Sequence, residues 1–344
     1  MKPTQRSLKH ADAARMLGIS SKALRLYEDR GLVVPGRTAA GWRVYGPAEL
    51  ARAEDVVALR ALGLSLGEVE RVLGGDGRDL GAALASQQSV LEARMQGLGV
   101  ALARVRELRG GLARGAAPDM ALLRRLDGGA QGPSVAFDLP WPWGGERFVL
   151  PQLARLSFII GPLGSGKTRL SQRLADEIEG GRFLGLDRND DGGAAAQQRF
   201  DAEPDLRERI LRAEAWLADE GATPGPALRS LLVHLDGSPG DTVVVDMVEE
   251  GLDEATQMAL IAHLRASLAS LPRLMLMTRS SAFLDLGSVR ADEAIILCPA
   301  NHSPPSLVAP YPGAPGFEAV ETCLAPPEVR ARSAGMQVVL PAGA

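Results

Sequence analysis

The chain has 344 residues, more than one hydrophobic core usually organises, so its length favours two domains with connecting segments. Its composition, 46% hydrophobic and 23% charged, is that of a globular protein and excludes disorder as the dominant state. No apolar run is long enough to cross a bilayer, and the first residues lack the continuous apolar segment of a signal peptide. We therefore expect a cytoplasmic protein without a membrane partner.

Charge is unevenly distributed along the chain. Residues 1–78 hold 13 Lys and Arg against 9 Asp and Glu, a balance of +4, and the remainder holds 25 against 33, a balance of −8. A basic module on an acidic body is typical of a protein that brings one end to a polyanion, although a solvated charged face gives similar numbers.

The two cysteines, Cys298 and Cys323, have no paired ligand spacing. They are expected to be reduced structural thiols, and His302 near Cys298 does not make a metal site with them.

Glycine-rich breaks at 74–81, 110–118 and 128–133 divide the chain. The predicted organisation is an amino-terminal domain at 1–78, a coiled-coil helix at 79–112, a linker at 113–134 that includes a short helix at 118–127, and an α/β domain at 135–344 that ends in a helical piece near 327–334.

The segment 8–32 has the pattern helix, tight turn, helix. Gly18 supplies the backbone freedom of the corner, and Ser20 or Ser21 can cap the second helix. Lys22 and Arg25 are three residues apart and therefore share one face of that helix. The pattern predicts a helix-turn-helix, although such a corner can also be purely structural.

A short hairpin is predicted directly after this corner. Ala40-Gly41 turns between two extended stretches, with Arg37 before the turn and Arg43 and Tyr45 after it. A hairpin with cationic residues beside a recognition helix is typical of a winged helix-turn-helix that binds DNA.

The run of about 65 residues from LKHADAARML to GEVERVL resembles the MerR-family DNA-binding domain, most specifically in ALRLYEDRGLV, GWRVY and ALGLSLGEV. The resemblance implies operator DNA with inverted half-sites as the ligand and RNA polymerase at the promoter as a further partner. Arginines of the wing would mostly contact phosphates, and base reading would fall to the start of the recognition helix. The residues that this resemblance assigns to DNA contact are Ser21, Lys22, Arg25, Tyr27, Arg37, Arg43 and Tyr45.

A heptad pattern follows. Apolar residues recur every seven residues at Leu84, Leu91, Leu98, Val105 and Leu112, and Gln88, Met95 and Leu102 follow the first three at a spacing of four. This is the seam of a coiled coil, which buries one narrow stripe against a partner. Similarity to MerR regulators implies an antiparallel coiled coil and a homodimer; packing of the helix against its own α/β domain is the alternative.

The strongest motif begins after an apolar strand at 153–160. The sequence GPLGSGKT at 161–168 leads into a helix beginning near Arg169 and gives the full G-x-x-x-x-G-K-[ST] pattern between a strand and a helix. Its glycines let backbone amides face phosphate, Lys167 reaches the terminal phosphates and Thr168 can ligate Mg²⁺. ATP with Mg²⁺ is therefore the expected cofactor. The residues predicted to bind it are Gly161, Gly164, Ser165, Gly166, Lys167, Thr168, Arg169 and Trp143.

A β-branched strand at 242–245 ends in Asp246, which would place a carboxylate beside the Mg²⁺. The following stretch, DMVEEGLDEATQMALIAHLRASLASLPRLMLMTRSSAFLDL, resembles ABC-type ATPases from the Walker B strand to the switch strand. The resemblance covers 135–300 and is firm at the P-loop and Walker B segments. It places Thr223 where ABC-type ATPases carry their signature motif. It also implies that Trp141 or Trp143 stacks on adenine, although either ring can equally pack in a turn.

Departures from the ABC pattern bear on catalysis. Met247 stands where those ATPases carry a glutamate after the Walker B aspartate, Arg279 replaces the switch histidine, and prolines interrupt the signature at 224 and 226. A missing general base typically costs on the order of 10² to 10⁴ in rate. We expect ATP to be bound and hydrolysed slowly or not at all, unless Glu249 or Glu250 serves as the base beside Asp246.

The sequence thus predicts a multidomain protein, in which an all-α winged helix-turn-helix and a dimerisation helix precede an α/β P-loop, ABC-ATPase-like domain. The leading hypothesis is a homodimeric transcription regulator whose DNA binding responds to ATP. The alternative is an ABC-like ATPase in DNA maintenance that uses the winged domain as an anchor. A third possibility is a P-loop scaffold for GTP or a small anion.

Overall fold

A computed structural model describes residues 7–38, 40–113, 134–290, 292–326 and 329. The segments predicted as a linker with a short helix at 118–127 and as a helical piece near 327–334 lie outside these residues, apart from Val329. Among the described residues, none of the helices combines the length and apolar character needed to cross a bilayer.

The amino-terminal domain packs four helices around a small sheet. Its elements are β1 (Leu8–Lys9), α1 (His10–Met16), α2 (Ser21–Asp29), β2 (Gly36–Arg37), β3 (Arg43–Tyr45), α3 (Pro47–Ala61) and α4 (Leu66–Leu73). The antiparallel sheet has the order β1-β3-β2. Its core contains Leu24 of α2 and Val56 of α3, both fully buried.

Local chemistry sets the boundaries of these elements. Ser20 is the N-cap of α2, and its hydroxyl accepts a hydrogen bond from the amide of Ala23 at 3.1 Å. Ser65 and Glu68 form a reciprocal capping box at the start of α4. Gly41 has a φ of +80° in the hairpin turn, a conformation that is costly for other residues. The predicted corner and hairpin are therefore present.

A single helix, α5 (Arg78–Ala113), follows the amino-terminal domain. Among the heptad residues with described side chains, Val105 is half-buried, and five are about half exposed or more: Leu84, Leu91, Met95, Leu102 and Leu112. Gln88 is also exposed and donates a hydrogen bond to Glu92 of the same helix at 2.7 Å. The side chain of Leu98 lies outside the described set. The chain's own α/β domain therefore leaves most of the described seam uncovered.

The second domain is α/β. Its strands are β4 (Val135–Asp138), β5 (Arg147–Leu150), β6 (Leu156–Ile160), β7 (Gly181–Leu184), β8 (Thr242–Val245), β9 (Arg273–Met277), β10 (Glu293–Leu297) and β11 (Ser306–Val308). Its helices are α6 (Lys167–Glu177), α7 (Ala194–Ala202), α8 (Pro204–Asp219), α9 (Pro226–Leu235), α10 (Glu254–Ser267) and α11 (Phe317–Cys323). Strands β4 and β5 form a separate hairpin.

Six strands form the main sheet, in the order β11-β10-β6-β9-β8-β7. All neighbours are parallel except β10 and β11. Every residue of β6, β8 and β9 is buried, as expected for central parallel strands covered on both faces. The carboxyl ends of β6 and β8 lie on the same edge with β9 between them, which brings the segments that follow these strands together.

The two domains touch along one side. Between them lies a cavity of about 770 Å³, lined by Leu62 and Ala83 from the amino-terminal part and by Trp216 and His263 from the α/β domain. The rings of Trp216 and His263 are 5.0 Å apart. Burial lowers the pKa of His263 to about 4.

Candidate functional site

The start of α2 presents a polar face. Ser21, Lys22 and Arg25 are all exposed, as the three-residue spacing of Lys22 and Arg25 predicts. Leu24 lies on the opposite side and is fully buried in the domain core. The helix therefore offers the donors of one face to a ligand while its apolar face fixes it to the domain.

The hairpin lies beside this helix. Arg37 is exposed, and its guanidinium donates a hydrogen bond to the carbonyl of Gly41 at 3.0 Å, across the turn. Arg43 is half-buried, because its Nε pairs with Glu28 at 2.7 Å. Arg37 is thus held by the turn itself and Arg43 by helix α2, which fixes the hairpin relative to the helix.

Two residues predicted to contact DNA lie elsewhere. Tyr27 and Tyr45 are both buried in the core of the amino-terminal domain. The Tyr45 hydroxyl bonds to Glu28 and lies 2.8 Å from Nδ1 of His10. Burial raises the pKa of Tyr27, and the nearby Arg60 guanidinium acts in the opposite direction and lowers it. This is a correction to the sequence-based assignment: the phenol rings are structural because their faces fill the core and their hydroxyls have partners inside it.

Sequence reasoning missed Trp42, whose side chain is 74% exposed between Gly41 and Arg43. Its backbone is fixed in the turn, since its amide donates to the Thr38 hydroxyl at 3.1 Å. An exposed tryptophan beside arginines can lie against a sugar–phosphate chain. The run GWRVY contains this tryptophan between a turn glycine and an arginine, a pattern that could have identified it.

The glycine-rich loop at 161–168 follows β6 and ends in α6. Gly164 and Gly166 have φ values of +79° and +86°, and a Cβ on Gly166 would fall 2.7 Å from the ring of Trp143. The ammonium of Lys167 donates to the carbonyl of Pro162 at 2.7 Å. The loop therefore curls around the lysine, with its amides at the amino end of a helix of 11 residues.

The electrostatics of this loop favour an anionic ligand. Burial lowers the pKa of Lys167, and Arg279 adds to that effect, whereas Cys298 and Asp246 raise it. Phosphate oxygens would stabilise the charged ammonium more than the neutral carbonyl of Pro162 does. The hydroxyl of Ser165 is buried and has no hydrogen-bond partner among the described residues. Arg169, which directly follows the motif in the first turn of α6, is exposed.

Asp246 follows β8 and lies next to this loop. Its Oδ2 accepts a hydrogen bond from the Thr168 hydroxyl at 3.1 Å, while its Oδ1 is buried with no hydrogen-bond partner among the described residues. Burial raises the pKa of Asp246, and Thr168, Arg188 and Lys167 lower it. A hydroxyl paired with a buried carboxylate that has a free oxygen is the kind of oxygen pair that Mg²⁺ prefers.

The two candidate bases differ in their surroundings. Glu249 is buried, and its Oε1 accepts a hydrogen bond from the amide of Arg279 at 2.9 Å, whereas Glu250 is exposed. Met247, between Asp246 and these glutamates, has a φ of +43°, which is uncommon for a residue with a branched or long side chain. Strained backbone of this kind is concentrated at functional sites. Glu249 is therefore the candidate that shares a loop and a buried setting with Asp246.

Arg188 is a buried residue that sequence reasoning missed. It lies in a 3₁₀ turn, Leu186–Asn189, and its guanidinium donates to the carbonyls of Asp246 and Met247 at 2.8 and 2.7 Å. Burial lowers its pKa, while Asp246, Glu250 and Glu249 raise it. It ties the end of β7 to the end of β8 and holds the strained backbone at Met247. Nothing in its local sequence, GLDRND, distinguishes it from a surface arginine.

The two tryptophans of LPWPWGG have different positions. Trp143 is buried, packs against Gly166, and donates its indole N–H to the carbonyl of Ser303 at 3.1 Å. Trp141 is 70% exposed. His302 lies on the same side, with its Nε2 3.0 Å from the carbonyl of Gly164. Segment 298–303 therefore covers one flank of the glycine-rich loop. Cys298 is buried there, which raises the pKa of its thiol to about 12.

Among the described residues, no group of three or more His, Cys, Asp or Glu is arranged to hold a metal ion.

Comparison with known families assigns the amino-terminal part. The family model described as "MerR HTH family regulatory protein" matches residues 8–75. Residues 8–75 form a MerR-type helix-turn-helix domain. Helix α2, its capping serine and the hairpin belong to this domain, and Ser21, Lys22 and Arg25 form the exposed face of its second helix.

Curated relatives resemble the chain in this MerR-type domain. A probable heavy metal-dependent transcriptional regulator of Haemophilus influenzae is 36% identical over 64 residues, which is 18% of this chain and 50% of the relative. The transcriptional regulator BrlR of Pseudomonas aeruginosa is 39% identical over 61 residues, 17% of this chain and 23% of BrlR. The chain thus spans half or less of the length of these relatives.

Among solved structures, that of the HTH-type transcriptional regulator SkgA from Caulobacter crescentus is 28% identical, with a TM-score of 0.23, and covers 35% of this chain and 86% of its own.

Proposed function

We propose that the chain is a transcription regulator that binds operator DNA as a homodimer and changes its DNA affinity when ATP binds at loop 161–168. The observation that carries the ATP proposal is the pairing of Thr168 with Asp246 at 3.1 Å beside a curled loop that encloses Lys167. The MerR-type domain at 8–75 supports the DNA half of the proposal.

The residues at loop 161–168 suit a nucleoside triphosphate with Mg²⁺. Backbone amides from Gly164 to Thr168 would surround the phosphates, and Lys167 would leave Pro162 to reach the terminal phosphate. Thr168 and the unpartnered oxygen of Asp246 would hold the Mg²⁺. Bound Mg²⁺ would neutralise phosphate charge. Ser165 Oγ offers a further buried donor at the same place.

Slow hydrolysis is part of the proposal. Met247 has no proton-accepting group, so the position directly after Asp246 cannot orient water. Glu249 is buried near Asp246, but its Oε1 already accepts the amide of Arg279. This arrangement suits a site whose occupancy, rather than its turnover, carries the signal.

Homodimer formation is supported by the exposed apolar residues of α5, which recur along one stripe. A stripe of this kind is covered when two copies pair, and the pairing sets the distance between two MerR-type domains. RNA polymerase at the promoter is proposed as the partner that reads the resulting DNA distortion.

The test is a footprint on the gene's own upstream region with four samples: no nucleotide, ADP, ATP, and ATP with the Lys167→Ala variant. We expect a protected inverted repeat whose affinity changes with ATP in the wild type but not in the variant. Identical protection and affinity in all four samples would contradict the ATP proposal. Absence of protection in every sample would contradict DNA binding.

The buried position of Glu249 also favours a second candidate, an ABC-like ATPase of DNA maintenance with the MerR-type domain as its anchor. DNA-stimulated turnover that Glu249→Gln abolishes would support this candidate over the regulator.

A further inference from the structure

The α/β domain grips the MerR-type domain through the carboxyl end of α8. The Glu220 side chain is 2% exposed and accepts hydrogen bonds from the Arg60 guanidinium at 2.6 Å and from the amide of Leu66 at 2.5 Å. Burial raises the pKa of Glu220, and Arg60 lowers it. A buried carboxylate at the negative end of a helix dipole is unfavourable unless it is paired. Glu220 is therefore held by the other domain.

Neighbouring groups extend this contact. The Asp219 carboxylate accepts from the Ser65 hydroxyl at 3.2 Å, and its carbonyl accepts from Arg30 at 3.0 Å. The Trp216 indole donates to the carbonyl of Gly63 at 3.3 Å. Arg30 directly follows α2, so this contact, which we call the acidic clamp (Trp216, Asp219 and Glu220), reaches the far end of the DNA-facing helix.

A second contact reaches the near end of the same helix. The Lys22 ammonium donates to the backbone carbonyl of Ser281 at 3.2 Å. Ser281 lies on the loop that follows β9, two residues after Arg279, whose amide donates to Glu249. One short loop thus touches both the surroundings of Asp246 and the start of the DNA-facing helix.

The position of Ser281 is incompatible with insertion of α2 into DNA. The major groove is about 12 Å wide and a helix with its side chains is about 10–12 Å across, so the groove has no room for a second backbone segment beside Lys22. The amino end of the second helix is the part that reads base edges. DNA and the α/β domain therefore require the same space.

We propose that the α/β domain is an intramolecular competitor of DNA: the surface formed by the acidic clamp and the Ser281 loop docks the MerR-type domain and withholds α2 from the operator. This inference rests on the DNA-binding function proposed above. If nine molecules in ten are docked, releasing the clamp tightens the apparent DNA affinity about tenfold, because only the undocked fraction binds.

A reversible cross-link tests the proposal. A Cβ on Gly67 would lie 3.3 Å from the Cβ of Asp219, close to the separation of about 3.5–4.5 Å in disulfides. The full chain carries Gly67→Cys and Asp219→Cys in a Cys323→Ser background. Oxidised glutathione takes up the two electrons of the thiols and is released as two reduced glutathione molecules. DNA affinity is measured by fluorescence anisotropy on the footprinted fragment, before and after oxidation and after reduction.

We expect the oxidised protein to bind DNA at least tenfold more weakly than the reduced protein, with full recovery on reduction. The single-cysteine variants are the matched controls and should not respond to oxidation. In parallel, Glu220→Gln should tighten DNA binding severalfold, whereas Glu208→Gln, at an exposed position of the same helix, should not.

The outcomes separate the two proposals. Equal affinity of the oxidised and reduced forms contradicts competition while DNA binding stands. Failure of the cross-link to form shows that the domains do not dock, again without affecting DNA binding. A cross-link that forms in a protein that never binds DNA overturns the proposed function, and the competition with it.

Discussion

At the residue scale, the buried carboxylate of Asp246 destabilises the unliganded protein, and a bound cation would remove that destabilisation. Its burial raises its pKa, and one of its oxygens is buried without a hydrogen-bond partner among the described residues. Such a group opposes folding in the absence of a ligand. The carboxylate is therefore better explained by binding than by stability.

We expect Asp246→Asn to lose the Mg²⁺-dependent part of ATP affinity, at least tenfold, because the amide is a neutral ligand. The unliganded variant should unfold at the same temperature as wild type or a higher one. Calorimetric titration with and without Mg²⁺ and thermal unfolding measure the two effects. An unchanged Mg²⁺ dependence would show that Asp246 does not hold the ion.

Tyr45 provides a test of the corrected assignment of the wing. Its ring is 0% exposed, and its hydroxyl bonds to the buried carboxylate of Glu28. We expect Tyr45→Phe to lower the free energy of unfolding by about 1–3 kcal/mol, the usual cost of leaving a buried acceptor short of a donor. DNA affinity of the folded fraction should stay within about twofold. Urea unfolding and anisotropy check both, and a large loss of affinity without loss of stability would return Tyr45 to the DNA surface.

His263 gives the protein an acid-sensitive site. Burial lowers its pKa from 6.5 to about 4, so the folded state keeps it neutral at pH values where the unfolded chain is protonated. Because the unfolded state then binds more protons, stability falls as the pH drops from about 6.5 to about 4. The loss has an upper limit of about 3 kcal/mol, at 1.36 kcal/mol per pH unit.

His263→Phe should flatten this part of the pH profile, since the tilted ring contact with Trp216 is kept and the titrating group is removed. The adjoining cavity offers room for the larger ring. The measurement is the difference in unfolding free energy between wild type and variant at pH 7, 6, 5 and 4, which cancels the carboxylates that both share. A constant difference across this range would contradict the assignment.

At the element scale, helix α5 exposes apolar residues that a second copy would cover. Leu91 is half exposed and lies in the middle of the stripe. Burying a leucine is worth about 1.5–3 kcal/mol, and each substitution occurs twice in a homodimer. We expect Leu91→Lys to weaken dimerisation by at least about 100-fold.

Sedimentation equilibrium measures this loss, and Leu91→Met, which keeps an apolar side chain of similar size at the same position, is the matched control. A wild-type protein that stays monomeric at micromolar concentration would contradict the homodimer. A dimer that tolerates Leu91→Lys would show that the interface lies elsewhere.

Patterns with a local cause were predictable from the sequence. The corner at Gly18, the cap at Ser20, the hairpin at Gly41 and the loop at 161–168 each depend on chemistry within a few residues, and the structure contains all four. The pairing of Thr168 with Asp246 was also foreseeable, because both follow buried parallel strands.

Features that depend on tertiary contacts were not predictable. Tyr45 lies in the wing and Tyr27 in the recognition helix, so their sequence positions suggested contact with DNA. Only the packing of α1, α2 and β3 shows that both side chains are enclosed in the core. Arg188 became a buried tie because β7 lies next to β8. The acidic clamp joins residues 153 or more positions apart, and no local pattern marks such a pair.

At the scale of the whole molecule, ATP binding and DNA binding are both proposed to act on the contacts between the α/β domain and the MerR-type domain. The Ser281 loop touches Lys22 at one end and, through Arg279, Glu249 at the other. The acidic clamp ends three residues before Thr223, whose amide donates to Thr256 at 2.8 Å. Movement near Asp246 therefore has one short route to the docked MerR-type domain, through the Ser281 loop, and the acidic clamp adjoins the segment that contacts α10.

Coupling of this kind is reciprocal: if ATP changes DNA affinity by some factor, DNA must change ATP affinity by the same factor. We expect a factor of at least fivefold, measured once as DNA affinity with and without saturating Mg-ATP, and once as ATP affinity with and without saturating operator DNA. Glu220→Gln should reduce both factors together, because a weakened clamp leaves less docking energy for ATP to change, whereas Glu208→Gln should leave them unchanged. If ATP and DNA each bind normally but both factors equal one, the two sites share a chain without communicating. The clamp would then regulate DNA binding independently of nucleotide.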